Sequence, residues 1–110
     1  MRDYVPVNKA NLPERFEIDL ATDTFWMEFN YNETSDFFSV DLYTGNNEPI
    51  ILGEKLILNV PLWQDFADPR LPAPSLVVLD ESEQAKRITF DNFMVTTFLY
   101  IDDTAPEEEV

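Results

Sequence analysis

The chain has 110 residues, with 22 acidic side chains against 7 basic ones, a formal charge of −15, and neither histidine nor cysteine. That charge sets it against nucleic acid and anionic lipid, which are bound by displacing counterions with Lys and Arg. The missing residue types exclude disulfides, zinc-finger or haem-type ligation, and Ser-His or Cys-His catalysis.

With 45% apolar and 14% aromatic residues, the chain holds enough material for one buried core, and disordered segments lack such residues. Met1-Arg2-Asp3-Tyr4 is charged and has no apolar h-region, so no signal peptide is expected. No apolar run reaches the ~18 residues that span a bilayer. The expectation is a soluble protein made in a cytosol. Period-two alternation then sets in. Phe16, Ile18 and Leu20 alternate with Glu17 and Asp19, and Phe25, Met27, Phe29 and Tyr31 alternate with Trp26, Glu28 and Asn30. Both runs read as strands with one wet face. Ala21-Thr22-Asp23-Thr24 between them reads as a hairpin turn, which makes the pair antiparallel.

After the polar turn at 32–36, Phe38, Val40 and Leu42 share one face, and Phe37, Ser39, Asp41 and Tyr43 the other. Thr44 to Pro49 has the Gly and Asn content of a tight reversal. Ile50-Ile51-Leu52 leads into Gly53, where a bulge or corner is expected, and Leu56-Ile57-Leu58 follows. Pro61, Pro69, Pro72 and Pro74 forbid a regular ladder, since proline has no N–H to donate. Leu62 to Ala67 is compatible with one or two helical turns ending near Pro69. Leu76 to Leu79, Arg87 to Phe90 and Thr96 to Ile101 read as further strands. The fold class is therefore all-β: a small antiparallel sandwich or partly open barrel of seven to eight short strands with one Pro-rich loop. One domain is expected over 1–101. An acidic C-terminal tail over 102–110 carries Asp102, Asp103, Glu107, Glu108 and Glu109.

No catalytic machinery is legible. The carboxylates fall in scattered turns with no spacing that singles out an acid–base pair or an EF-hand loop. Two glycines cannot make a phosphate loop, and no serine sits in a nucleophile elbow. The expectation is no enzyme, no cofactor and no metal site. The candidate contact residues are Trp26, Phe37 and Tyr43, on the polar faces of their strands, and Leu62, Trp63, Phe66 and Arg70 in the Pro-rich loop. Trp, Phe and Arg on a stiff loop suit interface anchors. Equally open is a loop folded back so that Trp63 and Phe66 close one end of the core, with Arg70 paired to Asp65 or Asp68. Trp26 either meets a partner or packs under a neighbouring element.

The order of features resembles a known family. Tyr4-Val5-Pro6-Val7 opens the chain, and Phe16-Glu17-Ile18-Asp19-Leu20 and an aromatic strand ending Tyr31-Asn32 follow. Next come Asp41-Leu42-Tyr43, an Asn/Gly turn, Gly53 with a Leu-rich strand, and Pro61-Leu62. Ile88-Thr89-Phe90-Asp91-Asn92-Phe93 and Phe98-Leu99-Tyr100 close it. From Tyr4 to Ile101 this resembles the small baseplate plug proteins of tailed bacteriophages. Where other members have a Gly-rich segment after the Leu-rich loop, this chain has the proline run from Pro69 to Pro74. The resemblance implies a non-catalytic structural subunit of the virion, assembled in the host cytoplasm. It would be present in several copies near the hub and spike, contacting hub, spike or tube proteins and sealing the distal tube. The negative charge suits a basic neighbour. The alternatives are a carbohydrate- or peptide-binding β module using exposed Trp and Tyr, and an acidic mimic that occupies a nucleic-acid site on another protein.

Overall fold

The computed structural model describes residues 3–102. Its first sheet is a meander of β2 (Glu14–Leu20), β3 (Asp23–Asn32), β4 (Phe37–Thr44) and β5 (Pro49–Lys55), paired antiparallel in that order. Its second is three-stranded, β1 (Asp3–Tyr4), β7 (Thr97–Asp102) and β6 (Ser75–Asp80), with β7 central. A 3-10 turn over Lys9–Asn11 joins β1 to β2. The two sheets do not close into a barrel, so the molecule is an open sandwich.

Alternation decides which face packs. Phe25, Met27 and Phe29 on β3 meet Leu42 and Val40 on β4, with Met27 opposite Leu42 and Phe29 opposite Val40. All of these are buried, and Phe38, Leu76, Val78 and Leu99 join them from the two sheets. Each fully buried side chain of this size contributes about 1.5–3 kcal/mol. The three ion pairs among the described residues lie at the surface and add little by comparison.

The β2–β3 hairpin turns on two residues, Ala21 and Thr22, with Leu20 facing Asp23 and Ala21 at φ +58°. A two-residue hairpin whose twist matches its strands demands that left-handed conformation. At the opposite edge Gly53, at φ +74°, forms the expected bulge. Val40 faces Glu54 and Leu42 faces Ile51, so Leu52 and Gly53 together oppose Asp41. The Asp41 carboxylate accepts the freed Gly53 N–H at 2.7 Å, and Leu52 is thrown outward, 61% exposed.

Beyond the bulge the chain crosses between the sheets. The Leu56 N–H donates to the Phe38 carbonyl at 2.9 Å, whereas the Asn59 and Leu62 N–H groups donate to Val78 and Leu76, each at 2.8 Å. The expected strand at Leu56-Ile57-Leu58 is therefore absent as a ladder and survives only as isolated bridges. Nor is Arg87 to Phe90 a strand. The Thr89 N–H is taken by the Asn92 side chain at 2.9 Å and the Phe90 N–H by Asp36 at 2.9 Å, so side chains satisfy the amides that a ladder would have used. Leu62 to Ala67 forms turns and no helix. The Leu62 amide goes to β6, the Trp63 amide goes to the Glu54 carboxylate at 2.8 Å, and Trp63 sits at φ +47°. The short β1 was not expected at Asp3–Tyr4; it pairs with β7 through Tyr4 opposite Tyr100. Asp102, assigned to the tail, ends β7, and the tail from residue 103 lies outside the described residues.

Candidate assembly surface

The seven candidate contact residues separate into three places. Trp26, Phe37 and Tyr43 lie on the outer face of the four-stranded sheet, half-buried and turned from the core by strand alternation. Leu62 and Trp63 are in the core, each 5% exposed. Phe66, 52% exposed, stands on the Pro-rich loop beside Ile57, Val60 and Pro61, and Arg70 follows at the loop's rim. The loop therefore divides its aromatics. Trp63 closes the core and Phe66 faces outward.

On the outer face Trp26 and Tyr43 are direct cross-strand neighbours, and Glu17 faces Trp26 from β2. One register step along, Arg15 faces Glu28, and Glu28 faces Asp41. The Arg15 guanidinium lies 4.1 Å from the Tyr43 ring centroid and 5.7 Å from that of Trp26. It pairs with Glu28 at 3.4 Å and donates to the Asn47 side chain. Lys55 covers Phe37 at 4.7 Å, and Lys9 covers Phe90 at 4.9 Å. Such contacts number four among the described residues, above the roughly one per 70–80 residues that is usual. Trp26, Tyr43, Phe37 and Phe90 are thus lidded by the chain's own cations, whereas Phe66 has none of these contacts. Sequence reasoning missed Arg15, Lys55 and Glu17 as members of this face. The signal was the two-residue hairpin loop, which fixes register and sets Glu17 against Trp26.

The titratable groups with shifted ionisation are occupied in holding loops. Asp36, at φ +54° in the β3–β4 turn, accepts the Tyr31 hydroxyl at 2.7 Å and pairs with Arg87 at 3.3 Å. The Tyr31 bond holds the Asp36 carboxyl below its ordinary range, helped by the Phe90 amide. In return Tyr31 is pushed up to about 12, first by its bond to that carboxylate. Asp80 accepts from the Ser82 hydroxyl at 2.6 Å and from the Ser82, Gln84 and Ala85 amides, and these bonds, the hydroxyl's first, lower its pKa. Asp68 is lowered to about 2, chiefly by the Arg70 side chain, whose Nε and Nη2 reach it at 3.1 and 2.8 Å. Arg70 therefore pairs within its own loop. Among the described residues no three acidic groups are placed to hold a metal ion, and no helix is long and apolar enough to cross a membrane.

The fold and this surface define a small all-β scaffold with an aromatic, cation-lidded outer face, in which Asp36, Asp68 and Asp80 are committed to turns and loops. The family model described as the cyanophage baseplate Pam3 plug gp18 matches residues 2–105, nearly the whole chain. The chain belongs to that family of phage tail baseplate proteins, as the order of its sequence features implied. No curated protein matches it.

Proposed function

We propose that this chain is a non-catalytic structural subunit of a tailed phage's baseplate, seated near the hub and spike in several copies and closing the distal end of the tail tube. The observation that carries the reading is the family match over residues 2–105. The geometry supports it in two ways. The carboxylates with shifted ionisation are spent on turns and loop ties, and outward aromatic and apolar groups, Trp26, Tyr43, Leu52 and Phe66, face away from the core on a rigid block. Its neighbours are hub, spike or tube proteins of the virion, met in the host cytoplasm during assembly. Neither nucleic acid nor membrane is among them, given a charge of −15.

Sugar or peptide stacking finds less support. Trp63, the aromatic of the Pro-rich loop that such a site would use, is in the core at 5% exposure. Cryo-electron microscopy of tails assembled with and without the chain tests the proposal. Density fitting this sandwich at the distal tube, lost in the deletion, is the expected result. Complete tails with no such density would overturn it.

A further inference from the structure

We infer that the Trp26–Tyr43 face of the four-stranded sheet is a seat for an arginine side chain presented by a basic neighbouring protein. The inference rests on the assembly role proposed above and names the chemistry of one contact within it.

Three observations converge there. Arg15 already lies over the two rings, so the face accepts a guanidinium. It sits nearer Tyr43, at 4.1 Å, than Trp26, at 5.7 Å, which leaves the indole the less covered ring. Glu17 stands directly across from Trp26, exposed, with no side-chain hydrogen bond or ion pair among the described residues. An indole face beside a free carboxylate satisfies both demands of a guanidinium at once, because its plane stacks on the ring while its N–H fork meets the oxygens. A lysine ammonium has no such plane.

Charge selects the partner. A second copy of this chain brings another −15 to the contact, whereas a basic surface is drawn towards it and oriented. Asp19 and Asp41 extend the negative rim on the same outer face, although each accepts a local bond, from the Thr24 hydroxyl and the Gly53 amide respectively, both at 2.7 Å.

The test uses the full chain and two synthetic probes, acetyl-Gly-Arg-Gly-Arg-Gly-amide and its lysine counterpart, titrated by 1H–15N NMR at low and high salt. The expected result is a preference of about two- to fivefold for the arginine peptide. Shifts should centre on the Trp26 indole and the Glu17 and Tyr43 amides. Trp26→Leu, which keeps an apolar cover but removes the ring, abolishes the preference. Glu17→Gln weakens binding, and the remote Glu81→Gln leaves it unchanged. Equal affinity for the two peptides, declining alike in every carboxylate variant, would mean diffuse charge attraction and overturn the inference. So would shifts located away from this face, or self-association of the free chain through it by sedimentation. Failure of the tail-density experiment with success here would sink the baseplate role alone. The reverse pattern would sink only the arginine seat.

Discussion

Tyr31 and Asp36 clasp the β3–β4 turn from within, the tyrosine hydroxyl donating to the carboxylate at 2.7 Å. The same carboxylate oxygen accepts the Phe90 amide at 2.9 Å, so one side chain ties a tight turn to a loop more than fifty residues later in the chain. The Arg87 guanidinium closes the arrangement by donating to the Ser35 and Asp36 carbonyls.

The clasp has a pH signature. Folding raises the Tyr31 pKa from 10.0 to about 12, so its contribution to stability is complete below the unfolded value. It is lost as pH rises through the interval between the two. Urea midpoints of the parent should therefore fall from pH 10 towards 12, and Asp36→Asn should flatten that decline. Spectrophotometric titration should show one tyrosine in the parent ionising late and moving towards the ordinary value in the variant. An unmoved titration curve would refute the assignment.

Asp68 and Arg70 predict an effect at the acid end. The carboxyl is lowered from 3.8 to about 2, so its contribution is present above the unfolded pKa and is lost as pH falls through the folded one. Arg70→Gln should return Asp68 towards 3.8, seen in its carboxyl carbon shift. At pH 7 the urea midpoint should barely change, because solvent screens this exposed pair.

Trp63 and Phe66, three positions apart, should behave in opposite ways. Truncating buried Trp63 to alanine should cost about 3–5 kcal/mol by urea denaturation. Phe66→Ala should stay within about 0.5 kcal/mol of the parent, as surface substitutions do. Incorporation into tails, measured by quantitative mass spectrometry of purified particles, should drop for Phe66→Ala despite its unchanged fold. Equal incorporation would remove Phe66 from the contact surface.

Gly53 isolates backbone strain from crowding. A Cβ built there meets no atom within 4 Å, yet the residue sits at φ +74°. Gly53→Ala should then cost about 1–2 kcal/mol through conformation alone. Gly53→Asn should cost less, since asparagine tolerates the left-handed region. A denaturation series in which alanine matches the parent would show that β5 relaxes its bulge.

The sequence disclosed the fold wherever alternation was long enough to fix a face. Residues 14–20, 23–32 and 37–44 carry a period of two, 75–80 and 97–102 read as strands from short apolar runs between turns, and the bulge at Gly53 was signalled by a glycine inside the apolar run that begins at Ile50. Alternation failed where side chains replace the ladder. Arg87 to Phe90 looks like a strand, but Asn92 and Asp36 capture its amides from positions that no local pattern marks. It also failed in the Pro-rich loop, where there is no periodicity to say that Trp63 turns inward and Phe66 outward. The cations over the outward aromatics escaped notice because most arrive from neighbouring strands or, for Lys9 over Phe90, from a distant loop.

The central place of β7 in its sheet governs how the chain matures on the ribosome. The meander β2 to β5 can pair hairpin by hairpin as it emerges, but the opposing layer has no middle until Thr97–Asp102 is made. For most of synthesis Phe25, Met27, Phe29, Phe38, Val40 and Leu42 thus form a greasy face with no lid. That face is covered by a complete second layer only once β7 has come to lie between β1 and β6.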